Sequence, residues 1–375
     1  SDDLQYVNPV NCFIYDRSNH TLGYKITLSD IPENWDIATA LPTVEGCLIA
    51  NDMQHAMDSP WMASPKLWHE TYQVEDSDKM VNFHVWTYGD APPQQKKFME
   101  DHIAFSKSQI SAFGTFPTSD YHFLYLLPSD MEVRHGVEHE DSTVIALGPS
   151  AKIQTQHGYN ELVGIASHEL YHSWNVKRIR PSEWTPYNFE NSSPSRLGYI
   201  AEGVTTYMGD LFLFESGCID LKGWSTLMEA LLYRHLNNPG RQNLSVAESS
   251  YDTWLDGYRP GVQGRKGSIY VEGSVLAFIC DTRIMKVTDG KSSLSTAMKI
   301  LWERFGKPRI GIGANEYWDV LAEVAGERLD DLREKYADGT EDTWDDLVEC
   351  MHDNGLELTK SMDEKGRVKA TLKPA

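Results

Sequence analysis

Several things are scarce in this chain of 375 residues. It has five cysteines, an odd number, and no CxxC pair. In a chain long enough to build a large core, this argues against a disulfide framework and a thiolate metal site. Cys218 and Cys280 sit beside apolar runs and read as small core residues. Positive charge is also short: 34 Lys and Arg against 55 Asp and Glu leave a net charge of −21. Such a surface repels phosphate backbones, which argues against nucleic-acid binding. Apart from keeping the protein soluble, it weakly attracts cations, including the ammonium of a peptide N-terminus. Long apolar runs are missing: the longest, such as 274–280, fall far short of the ~20 residues that span a bilayer. There is no internal repeat and no low-complexity tract. No basic segment with an apolar stretch comes after Ser1, so a targeting segment has been removed or the sequence starts inside a longer protein. The compartment stays open between cytoplasm and periplasm or secretion.

What is present has the composition of an ordinary globular protein, 41% hydrophobic and 24% charged; the length suits two or three domains. The first 90 residues read as β-rich, with strand-like segments at 11–15, 23–28 and 80–87 separated by turn-rich stretches at 29–35 and 58–65. So few strands bury little core alone, so this region is expected to lean on the residues beyond 90. Near Pro92 the character changes. A helix over 93–113 ends at Gly114, and strands come next at 121–127 and 142–147. From Tyr159 the chain reads as mainly helical, with helices over 160–176, 197–214, 223–236, 267–287, 294–305, 315–325 and 344–353. The fold class is α+β: an incomplete N-terminal β domain over 1–90, a mainly helical domain over 91–355, and a short extended tail over 356–375.

The most informative segment is His168-Glu169-Leu170-Tyr171-His172, an HExxH pattern. On a helix, positions i and i+4 share a face, so two imidazoles can meet one ion. Neutral imidazole is a good zinc ligand, and Glu169 then stands beside the metal as a base for the attacking water. With 13 histidines in the chain, chance would give roughly 0.03 such motifs. A catalytic zinc site needs a third protein ligand and an open position. Glu202, near the start of the next expected helix, supplies one in the arrangement in which a second helix brings a Glu to HExxH. Its alternative role is an ordinary first-turn acid facing the helix dipole. Asp210, eight residues on, is a candidate to orient a ligand histidine.

These residues resemble the glycyl aminopeptidase family of zinc metallopeptidases, a gluzincin family. The run 172–181 (HSWNVKRIRP) resembles that family's extension after the zinc helix. Residues 201–207 (AEGVTTY) resemble its third-ligand helix and 270–281 (YVEGSVLAFICD) a later helix. Asn8-Pro9 and Asp58-Ser59-Pro60 resemble its N-terminal β region. The resemblance implies a thermolysin-like catalytic domain behind a β domain, a Zn²⁺ cofactor, and a PDZ domain after the point where this chain stops. The early strands of the β domain are not evident either, so the chain reads as a fragment or a short member. Residues 135–143 (HGVEHEDST) resemble an aminopeptidase signature, which gives Glu138 the substrate's α-ammonium. His135 stands where the family usually has glycine. By the same resemblance Tyr270 stabilises the oxyanion, with Tyr251 and Tyr258 as rivals. Lys177, Arg178 and Arg180 either bind an anion or make ion pairs at the end of the zinc helix.

The function so implied is removal of the first residue of a peptide with a free N-terminus, with a preference for Gly or Ala. His168, His172 and Glu202 hold zinc, Glu169 is the base, and Glu138 anchors the ammonium. An endopeptidase of the same fold, or a non-catalytic zinc- or peptide-binding module, stays open at this stage. The sequence carries no reading of oligomeric state.

Overall fold

The computed structural model describes residues 3–89, 95–256 and 261–375. The chain divides into two compact units, Ser1–Ser173 and Trp174–Ala375. Pro92, Pro93 and Tyr258 lie outside the described residues.

The first unit is built on a five-stranded sheet: β1 (Trp68–Glu75), β2 (Met80–Gly89), β3 (Asp120–Leu127), β4 (Val133–Glu138) and β5 (Ser142–Gly148), in the order β4-β5-β3-β2-β1. The pairs β2–β3 and β3–β5 are parallel, and the two outer pairs are antiparallel. A parallel pair needs a long crossover, and helix α1 (Gln95–Phe113) lies in the one between β2 and β3. Gly114 ends that helix with φ +86°, a conformation that favours glycine. Side chains alternate across β3. Tyr121, Phe123 and Tyr125 on one face are fully buried, as are Phe98, Phe105 and Phe113 of α1. Each such side chain contributes roughly 1.5–3 kcal/mol by leaving water. On the other face, Leu124 and Val144 pack with Ala38 and Met62 of the N-terminal region. The residues before 68 thus lean on this sheet, to which residues 68–89 contribute two of the five strands. Helix α2 (Gln156–Tyr171) begins where the Thr155 hydroxyl accepts a hydrogen bond from the Gly158 N–H at 3.1 Å, an ordinary N-cap.

Three expectations for this region need correction. Residues 11–15 form no strand; the chain makes a single 3-10 turn at Pro9–Asn11. Pro9 has no N–H to give a sheet, and Ile14 is 94% exposed, so the segment has no buried face to pair. The stretch 58–65, expected as turns, contains the strand Trp61–Ser64, which is central in a three-stranded sheet between Gln5–Val7 and Asp36–Thr39. Strands β1 and β4 have no counterpart among the expected strands. Both are sheet-edge strands of charged and polar residues, with only a partly buried face, so periodicity marks them weakly.

The second unit is helical: α3 (Thr205–Glu215), α4 (Leu221–Leu236), α5 (Val246–Asp256), α6 (Ile269–Val287), α7 (Leu294–Leu301), α8 (Ala314–Ala325) and α9 (Trp344–Asp353). Six match the expected spans, and α5 is additional. The expected helix over 197–214 is realised as a π-helical turn, Tyr199–Val204, running on into α3. Helix α6 is buried on nearly all sides, as a central helix should be. Cys280 lies in its core, whereas Cys218 is only half-buried. The last residues, expected as an extended tail, are two extended strands, Leu356–Met362 and Val368–Pro374, paired antiparallel. No described helix is long and apolar enough to cross a membrane.

Candidate metal and catalytic centre

In the first unit, His168 and Glu169 occupy the last turn of α2, and His172 is its C-cap. The two imidazole rings stand at 88° with centroids 4.6 Å apart, and their Nε2 atoms are 3.0 Å apart. Two ligands about 2.0–2.1 Å from one tetrahedral ion are separated by about 3.3 Å, so this pair fits a shared zinc. His172 and Glu169 are buried, and His168 is half-buried.

Helix α2 is fixed from behind. The Gln109 side-chain amide on α1 donates to the Ser167 carbonyl at 2.9 Å and to its hydroxyl at 3.0 Å. The Tyr121 hydroxyl donates to the Glu169 carbonyl at 3.4 Å. Burial first, and then the Glu169 charge, hold the Tyr121 phenol well above its usual pKa, so it remains a donor.

Glu138 is the last residue of β4, paired with Thr143 of β5. In a strand, Gly136 and Glu138 point to the same side. A Cβ at Gly136 would collide with the Glu169 carboxylate and lie 3.0 Å from Ile165. Glycine at 136 is therefore what lets β4 run against α2. One oxygen of Glu138, one of Glu169 and a ring nitrogen of His172 lie within 4.8 Å of one another. Two carboxylates so close favour a cation among them.

In the second unit, Glu202 lies in the π-helical turn, half-buried. This turn crosses α6 at paired glycines. A Cβ on Gly203 would strike the Gly273 backbone, and one on Gly273 would lie 2.6 Å from the Tyr199 carbonyl. Tyr270 is in the first turn of α6, next to Ile269, whose carbonyl faces Gly203. Asn175, three residues beyond His172 in the chain, ties the start of this unit to the same turn. Its side-chain amide donates to the Ile200 carbonyl at 2.9 Å and the Thr205 hydroxyl at 3.0 Å. Thr205 donates in turn to the Ala201 carbonyl at 2.7 Å. Asp210 is on α3, and burial pushes its carboxyl up to about 7. Tyr251 is 55% exposed on α5.

The cations after α2 are buried rather than displayed. The Arg180 guanidinium lies 3.8 Å over the Tyr187 ring and donates to the Lys177 carbonyl at 2.8 Å. Lys177 faces the same ring. This is packing of the 174–181 segment. Sequence reasoning assigns no part to Gln109, Gly136 or Asn175. Asn175 and Gly136 carry a signal, inside the runs 172–181 and 135–143; Gln109 carries none.

The fold is that of zinc-metallopeptidase structures. An aminopeptidase N family protein from Idiomarina loihiensis superposes with a TM-score of 0.87 at 24% identity, over 97% of this chain and 63% of that one. An M1 zinc metallopeptidase from Deinococcus radiodurans, in a mutant form bound to a Tyr-Ser-Ala substrate, has a TM-score of 0.53 at 13% identity, over 82% of this chain and 62% of that one. The chain thus spans less than two thirds of these neighbours. More particularly, the M61 glycyl aminopeptidase family matches residues 161–276, and the peptidase M61 N-terminal domain matches residues 1–65. The resemblance read from the sequence is borne out on these segments, which include His168, Glu169, His172, Glu202 and Tyr270. No curated protein matches the chain.

Proposed function

We propose that the protein is a zinc-dependent aminopeptidase. The observation that carries the reading is the pair of perpendicular imidazoles with Nε2 atoms 3.0 Å apart, beside the carboxylates of Glu169 and Glu138. His168 and His172 would hold the zinc, with Glu202 as third ligand. The docking of Asn175 on the turn that carries Glu202 supports that assignment. Residues 91–355 carry every residue in this scheme. When bound, zinc supplies the Lewis acidity that polarises a peptide carbonyl and makes water nucleophilic near neutral pH.

The remaining roles belong to side chains of this chain. Glu138 pairs with the substrate's α-ammonium, which sets the cut after the first residue. Glu169 takes a proton from the attacking water and passes it to the leaving amine. Tyr270 donates a hydrogen bond to the developing oxyanion. Asp210, with its raised pKa, is a candidate to orient a ligand histidine. The preference for N-terminal Gly or Ala rests on the family resemblance.

Two variants test the scheme. Glu169→Gln should keep zinc and lose turnover by about 10²–10⁴-fold, the usual weight of a general base. Glu202→Gln should lower the zinc content per chain. Near-normal turnover by the first variant overturns the assigned base, and full zinc in the second overturns the third ligand.

A further inference from the structure

Directly after Glu138 comes a clamped turn. The His139 side chain is 4% exposed, and its Nδ1–H donates to one oxygen of Asp58 at 2.9 Å. The Glu140 backbone N–H donates to the other Asp58 oxygen at 3.0 Å. One carboxylate thus grips the two residues after Glu138. The turn is closed on its own side by His139 N–H to the Ser142 carbonyl at 2.8 Å and by the Thr143 hydroxyl to the Val137 carbonyl at 3.0 Å.

Asp58 is itself held. It caps the C-terminal end of the short helix Met53–Met57, and the neighbouring Ser59 hydroxyl donates to the His55 carbonyl at 2.7 Å. His55 also lies 3.9 Å from the Asp141 carboxylate in the same turn. The grip therefore comes from the N-terminal region, 81 residues away in sequence from His139.

There is a physical need for such a grip. Glu138 and Glu169 hold carboxylate oxygens within 4.8 Å of one another. Like charges at that range repel, and β4 is an edge strand with a neighbour on one side only. An unanchored Glu138 would swing outward. Hydrogen bonds to an ionised carboxylate are strong and directional, so Asp58 can resist that force.

We propose that Asp58, acting through His139 and the Glu140 N–H, is a positioning residue that sets Glu138 for the substrate ammonium. The N-terminal region is then part of the aminopeptidase's selectivity and more than a support for the sheet. This inference rests on the aminopeptidase reading.

The test compares a glycyl peptide with its N-acetylated twin, the first as substrate (KM) and the second as competitive inhibitor (Ki). Wild-type protein should bind the free peptide more tightly. In Asp58→Ala the KM of the free peptide should rise about 10-fold or more, the scale of a small misplacement, while the Ki of the acetylated twin and zinc per chain hold. Asp58→Asn keeps one acceptor and the fold, and should fall between the two. An unchanged KM-to-Ki ratio in both variants, against a discriminating wild type, overturns the inference alone. So does an equal rise of KM and Ki, which marks a general loss of structure. Equal binding of both peptides by wild-type protein overturns the aminopeptidase reading itself, and the inference with it.

Discussion

The first unit holds two groups of close histidines, and they are built in opposite ways. His168 and His172 stand at right angles, with both Nε2 atoms aimed into one small volume beside carboxylates. His69 and His84, on β1 and β2, lie nearly parallel at 8°, with Nε2 of one 3.2 Å from Nδ1 of the other. His122 stacks on His84 at 4.2 Å, and its Nδ1 accepts from Trp86 at 3.2 Å. In the first pair two lone pairs converge on a shared point. In the second the rings are nearly parallel and stack on His122 and Trp86, and their nitrogens meet edge to edge within that stack. The residue type is the same in both; what distinguishes the inner pair is the carboxylates of Glu138 and Glu169 gathered beside His172.

The largest expected effect that sharpens this contrast is on metal content. His172→Ala should reduce zinc from about one per chain to a small fraction, because a three-ligand site loses a first ligand. His84→Ala should leave zinc unchanged. Metal analysis after dialysis reads both, and equal loss in the two variants would erase the distinction.

A smaller effect concerns the crowding of the inner group. Gly136→Ala places a Cβ against the Glu169 carboxylate, so turnover should fall about 10–100-fold as the base is displaced. Zinc should be retained, since no ligand is touched. Unchanged kcat would show that β4 can yield at no cost.

The smallest effect belongs to the outer group and appears in stability. Burial lowers the pKa of His69, His84 and His122, the last to about 3. Buried His102 is lowered to about 4. These groups bind protons more readily in the unfolded chain, so their contribution is complete above an ordinary histidine pKa near 6.5. It drains away as pH falls from there toward 3–4. The raised carboxyl of Asp210 acts in the opposite sense over the same window, so the histidine part is read by difference: His84→Ala should lose less melting temperature than wild type as pH falls from 7 to 4. Identical pH profiles for wild type and His84→Ala would contradict the burial of this ring in neutral form.

How much is legible in the sequence obeys the same division. The i, i+4 spacing of His168 and His172 is local, so one helical turn reveals it in sequence. The outer group comes from three strands joined only by sheet register, and no spacing announces it. The same holds for Asp58 and His139, brought together by the fold. Glu138 is legible as a motif residue but its strand is not, because β4 is an edge strand whose sequence includes Arg134, His135 and a glycine. Helix α5 escapes detection because its stretch includes Ser249, Ser250 and Thr253, which carry weak helical propensity. The π-helical turn at Glu202 looks like ordinary helix in sequence. It coincides with the backbone crossing at Gly203 and Gly273, which only packing reveals.

The most direct test of the central claim is cleavage of a glycyl peptide and its N-acetylated twin by zinc-loaded protein, with products identified by mass. The aminopeptidase reading predicts that only the free peptide is cut and that it loses just its first residue. Equal cleavage of both peptides would contradict it, removing Glu138 as the anchor of the amino terminus and leaving an endopeptidase.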